Sequence, residues 1–192
     1  AIQGLFLVVV VFQTKNMKRS SRELLAALLL IFSLYTLGTI VRCTKLLLAM
    51  PHLAETYPVL LFALGPLLYL YICSLTNNHF KLRRIHAFHF VPLMLRIVYA
   101  IPLYIQSADL KTEYLIKSYH TPPEHAWIIM LLAFVQTFVY LLCSAYCIIQ
   151  YSRTVNIHNI HEKKYFCGVR NILIALICLW IVWIIQRTSD AS

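Results

Sequence analysis

Apolar residues along this chain fall into long continuous runs separated by short polar stretches. A helix needs about 20 mostly apolar residues to cross a hydrocarbon core of roughly 30 Å. Five runs approach that length: Leu24 to Val41, Tyr57 to Leu75, Ala87 to Ile105, Ala126 to Gln150 and Asn171 to Gln186. A sixth, Ala1 to Phe12, is too short to cross alone. The runs do not alternate with period two, as membrane barrel strands do. The pattern predicts an all-α, polytopic transmembrane helix bundle with six spans visible, the first truncated. Residues 1–192 then form one transmembrane domain.

Polar residues between the runs predict where helices start. Ser20 and Glu23 have capping-box spacing before the second span, and Thr121 and Glu124 repeat it before the fifth. Pro122 and Pro123 fall where a missing amide does least harm. Between the fourth and fifth spans, Gln106 to His125 mixes Asp109, Lys111, Glu113 and Lys117 with Leu110, Tyr114, Leu115 and Tyr119. That spacing predicts a short surface helix over the mouth of the bundle, acting as a lid or as a plain connector.

Composition sharpens the class. Hydrophobic residues make up 60% of the chain, charged residues 12%, and mean hydropathy is +0.73. A soluble domain carries about a quarter charged residues, and disordered chains are poor in apolar ones, so both classes are excluded. The net charge of +10 could suggest nucleic-acid binding. Its distribution favours topology bias instead. Eleven cations lie in the loops after spans one, three and five: Lys15, Lys18, Arg19, Arg22, Lys81, Arg83, Arg84, Arg153, Lys163, Lys164 and Arg170. Five lie on the other side: Arg42, Lys45, Lys111, Lys117 and Arg187. The positive-inside rule puts the richer side in the cytoplasm and both chain ends outside. The setting expected is a bacterial cytoplasmic membrane. The chain opens inside an apolar run and closes directly after a span, so both ends read as cut.

Catalytic chemistry is scarce. The seven carboxylates, Glu23, Glu55, Asp109, Glu113, Glu124, Glu162 and Asp190, all sit in loops or at helix ends, which disfavours an ion-coupled pump. His158, His161 and Glu162 form H-x-x-H-E in the last cytoplasmic loop, not the H-E-x-x-H zinc motif, and read as a solvated loop. The six cysteines form no C-x-x-C, so neither a disulfide framework nor a metal site is expected. No nucleophile elbow or phosphate-binding glycine loop is present. The chain is expected to be no enzyme and to hold no cofactor. Tyr57, Trp127, Tyr151 and Tyr165 near span ends suit an interfacial belt.

Prolines inside spans predict kinks at Gly65–Pro66, Pro92 and Pro102, because each frees a carbonyl that must find a partner. Arg96, about ten residues into the fourth span, stands out. A central arginine costs about 2.5–3.5 kcal/mol on insertion scales, so it must face inward and be satisfied. The expected partners are carbonyls freed near Pro66 and Pro92, Gln136 on the fifth span, or an anionic ligand. His89, seven residues earlier, is expected on the same helix face. Arg96, His89 and Gln136 are therefore the candidate signal or ligand contacts, set against a purely structural arginine.

Residues 51–98 carry a family resemblance. Pro51-His52-Leu53, GPLLYLY from Gly65 to Tyr71, Ser74-Leu75, the basic stretch Lys81 to Arg84, and His89-Phe90-Val91-Pro92 follow one another in order. The chain resembles the N-terminal membrane domain of membrane-bound AraC-type transcriptional regulators of Bacteroidetes-like bacteria. AIQGLFL and KNMKRSSRELLAALLL resemble that family's first two helices. The resemblance implies seven or eight membrane helices followed by a cytoplasmic helix-turn-helix domain that binds DNA. No recognition helix follows Arg187, so DNA would be reached only through a domain missing from this chain. The implied function is sensing an unidentified signal molecule from within the bilayer, and a homodimer is compatible with it. The competing readings are a small transporter or permease fragment, and the sensor bundle of a histidine kinase.

Overall fold

The computed structural model describes residues 2–13, 17–77, 79–121 and 123–154, and every regular element among them is helical. Helix α1 is Ile2–Gln13 and α2 is Arg19–Cys43. Two single 3₁₀ turns, Leu46–Leu48 and Pro51–Leu53, lead to the short α3, Thr56–Val59, and to α4, Leu61–Thr76. A 3₁₀ segment, Arg84–Phe90, runs into α5, Val91–Tyr104. Helix α6 is Ala108–His120 and α7 is Glu124–Thr154. Four stretches are long and apolar enough to cross a bilayer: Arg19–Cys43, Pro51–Thr76, Arg84–Tyr104 and His125–Arg153. They overlay four of the five predicted full-length runs, and α1 is the predicted shortened one. The fifth run, Asn171 to Gln186, and the His158/His161/Glu162 motif lie outside the described residues.

Helix α4 is the most enclosed element. It packs between α2 and α7, with Phe62, Ala63, Leu67, Leu68, Leu70 and Ile72 buried. Leu68 and Ile72 meet Leu141 and Ile148 of α7. Leu24 of α2 meets Ala63, Leu67 and Leu70 on the opposite side. The flanking helices turn large apolar residues outward, including Phe32, Leu95, Val98, Leu131 and Phe138. Such a surface is stable against lipid tails and unstable against water. Four apolar helices long enough to cross a bilayer, with this surface, point to a membrane protein.

Two glycines mark close helix approaches. A Cβ at Gly65 would lie 3.0 Å from the Tyr140 ring and 3.4 Å from the Thr137 Cα, so α4 and α7 pack nearly backbone to backbone there. A Cβ at Gly38 would lie 2.2 Å from the Cβ of Tyr57, which seats α3 directly on α2.

The prolines act differently from one another. Pro66 lies inside α4, and the carbonyl four residues back, Phe62, accepts a hydrogen bond from Gln136 Nε2 at 3.0 Å. Pro102 lies inside α5, in its last turn. Pro92 does not interrupt a helix. It occupies the first turn of α5, where its missing amide has no intrahelical partner to lose. The tighter 3₁₀ turn ahead of it lets the Val91 amide satisfy the Phe88 carbonyl.

Both capping-box expectations fail. Helix α2 starts at Arg19, ahead of Ser20, and Glu23 accepts a bond from Arg19 Nε at 2.8 Å instead of turning back to cap. Thr121 closes α6: its hydroxyl donates to the Lys117 carbonyl and α7 begins at Glu124. In each case the partner lies one turn back, the Arg19 side chain for Glu23 and the Lys117 backbone carbonyl for Thr121.

Candidate functional site

The ends of α2 and α5, the turns at 46–53 and α3 come together beneath α6. Sequence period places the buried face of α6 on Lys111, Leu115 and Ser118, spaced i, i+4, i+7. Leu115 packs with Leu47 and Ala54, flanked by Val41, Leu103 and Tyr119. The predicted surface helix is therefore present, and its inner face is seated in a core of its own. Leu110, expected on that face, is exposed. Lys111 takes the place and is only 3% exposed.

Arg96 reaches into this region and pairs with the Glu55 carboxylate through Nη2. Arg96 is 7% exposed and Glu55 20%. The partner is thus a carboxylate, not the freed carbonyls or Gln136, and Glu55, which the sequence pattern leaves outside the Tyr57 to Leu75 run, falls within the membrane-length Pro51–Thr76 stretch. Glu55 precedes α3 with φ 62°, a left-handed conformation costing an L-residue about 1–2 kcal/mol. The surrounding bonds hold it there. The Tyr104 hydroxyl donates to the Glu55 carbonyl at 3.1 Å, and the Tyr114 hydroxyl donates to Oε1 at 3.4 Å. Lys111 Nζ donates to the Tyr104 carbonyl at 2.9 Å and to His52 Nδ1 at 3.1 Å. Arg42 closes the cluster, its guanidinium 5.1 Å from the Tyr119 ring centre, while the Tyr119 hydroxyl donates to the Arg42 carbonyl at 2.9 Å. Burial, and after it the Glu55 charge, push the Tyr114 phenol up to about 12, so it remains a donor at physiological pH.

The network joins three cations, Arg42, Arg96 and Lys111, to one carboxylate, Glu55. Asp109 and Glu113 sit on the exposed side of α6. Arg96 Nε and Nη1 are buried without a hydrogen-bond partner. The guanidinium face rests 5.4 Å from the Tyr99 ring centre, which occupies its face and leaves those edge protons unused.

The three predicted contacts are not brought together. Gln136 serves the Phe62 carbonyl in the α4–α7 seam. His89 lies in the 3₁₀ segment, seven residues ahead of Arg96, and meets other partners than the α6 cluster. Its Nδ1 is 3.0 Å from the Tyr140 hydroxyl, and its ring meets Tyr69 edge-on at 5.5 Å. At that end of the molecule Ser74 Oγ also donates to Ser21 Oγ at 3.0 Å, tying α4 to α2. Cys73 and Cys147 face each other with Sγ atoms 3.9 Å apart between α4 and α7.

Gln136→Leu should cost about 1 kcal/mol, the size of a hydrogen bond between membrane helices, by stranding the Phe62 carbonyl above Pro66. Thermal unfolding in detergent measures it. An unchanged melting temperature would show that Gln136 is not what satisfies that carbonyl.

Comparison of the chain with family models, with curated proteins and with solved structures finds no match in any of the three.

Proposed function

We propose that this chain is the membrane-embedded sensory domain of a bacterial transcriptional regulator, reporting to a cytoplasmic helix-turn-helix domain outside the present sequence. The observation that carries the reading is the buried Arg96–Glu55 pair, locked under α6 by Tyr104, Tyr114 and Lys111. A buried charge pair with unused donors beneath a short amphipathic helix is costly as plain scaffolding and suited to an element with two packings. The AraC-like order of motifs across residues 51–98 supports the output assigned to it.

In this reading six spans cross the bacterial inner membrane and both chain ends lie outside. The α6 cluster faces the exterior, and the His89, Ser74 and Cys73 end faces the cytoplasm. Helix α4, which runs between the two ends and touches both α2 and α7, carries the change. A signal shifts the balance of packings by binding one of them better. Reporter fusions in the 76–86 and 151–170 loops should read cytoplasmic, and one near residue 115 exterior. Exterior signal from either basic loop would overturn the orientation. The function is tested in the gene's full-length product, with a promoter reporter for its DNA-binding part. Neutral replacement of the pair by Glu55→Gln with Arg96→Gln should leave expression normal and freeze the reporter in one state. A reporter that responds as in wild type would remove the reading.

A further inference from the structure

We infer that the α6 cluster is a binding site for an oxyanion, a carboxylate or phosphate group that docks on the guanidinium of Arg96. The inference deepens the sensor reading by naming the ligand class, and rests on it only for what binding does to the output.

Charge balance is the first argument. Three cations converge on a network with one carboxylate, and two of them, Arg96 and Lys111, are at least nine-tenths buried. Buried charge is tolerated when paired, and this network falls short in negative charge. Geometry is the second. Glu55 engages only Nη2 of Arg96, so Nε and Nη1 remain buried donors without acceptors. The two flank Nη2, one on each bidentate edge of the guanidinium, so a carboxylate or phosphate that grips either edge with two parallel bonds must share Nη2 with Glu55 or take it. The third is its surroundings. Tyr99 flanks the guanidinium with its ring, and the Tyr104 and Tyr114 hydroxyls, which donate to Glu55, can turn a proton to an incoming oxygen. Docking there sets the ligand and Glu55 in competition for one guanidinium. Releasing Glu55 also releases Tyr114, and with it the grip of α3 on α6.

The oxyanion can arrive free in solution or on a lipid headgroup, and the test separates the two. The full chain is purified in dodecyl maltoside, which contributes no anion. Its thermal unfolding is followed while chloride is replaced, at constant ionic strength, by inorganic phosphate or acetate. A second series adds phosphatidylglycerol to the micelles. A saturable rise in melting temperature is expected in one series, and the series that shows it identifies the source. Glu55→Gln removes the competitor while keeping an acceptor for Arg96, so it should tighten binding at least about tenfold. The double variant Glu55→Gln with Arg96→Gln keeps a neutral hydrogen-bonded pair and should bind neither probe. A structural ion pair predicts none of this: loss of Glu55 would only lower stability, with no dependence on the anion. No saturable shift in either series, for wild type and Glu55→Gln alike, would overturn the site. So would a shift that survives in the double variant, since the anion would then be bound elsewhere. A saturable shift together with an indifferent promoter reporter keeps the site and removes the sensor reading.

Discussion

Arg96→Met is expected to lower the stability of the folded chain by about 3 kcal/mol, the low end of the cost of leaving one partner of a buried ion pair behind. The low end applies because Glu55 keeps 20% of its surface exposed and can recruit some water once the cation is gone. The loss should fall on one part of the molecule. Glu55 holds the Tyr104 and Tyr114 hydroxyls as well as Arg96, so a stranded carboxylate loosens α3 and α6 first. Hydrogen exchange should rise in residues 51–59 and 108–120 while the α4–α7 seam stays protected. Adding Glu55→Gln to Arg96→Met removes the stranded charge and should recover most of the stability. A single variant that melts like wild type, or a loss the second substitution does not recover, would show that the pair is not what holds this end together.

The same cluster shows what the sequence made legible and what it concealed. Continuous apolar runs marked four membrane-length helices, because a helix facing lipid needs no alternation and tolerates little polarity. Arg96 stood out for the same reason. Its partner did not, since Glu55 lies 41 positions away in a polar turn and reaches back toward the helix through a left-handed backbone that carries no local signature. Lys111 was available from periodicity: four and seven residues ahead of Leu115 and Ser118, it falls on their face. The expectation that a charged residue turns outward hid it. His89 is two turns of helix from Arg96, and at that distance along the axis it finds Tyr140 while Arg96 finds Glu55. Gln136 lies in the bundle interior as expected, but a freed proline carbonyl claims it before the arginine does.

Gly38→Ala should be among the most damaging small substitutions on the surface of α2, and no trimming of the opposing ring should rescue it. The added Cβ would lie 2.2 Å from Cβ and 2.4 Å from Cγ of Tyr57. Carbon atoms rest about 3.5–4.0 Å apart, so α3 must retreat from α2 by more than an ångström. Overpacking of this kind costs about 1–3 kcal/mol, and the upper end applies because α3 is clamped from its other side through Glu55. Tyr57→Ala keeps the offending Cβ, so the double variant should stay destabilised, and Tyr57→Gly should relieve the steric part. Gly4 supplies the contrast. Its added Cβ would meet Ser33 Oγ at 2.0 Å but Ser33 Cβ at 3.2 Å, so the obstacle is a hydroxyl that rotates away. Gly4→Ala should then cost well under 1 kcal/mol beyond the Ser33 Oγ bond to the Leu29 carbonyl that it disturbs, and Ser33→Ala should absorb most of it. Melting temperatures of the five single variants and the three doubles decide it. If Tyr57→Ala rescues Gly38→Ala, the contact is made by the ring and α3 sits further from α2 than the backbone spacing requires.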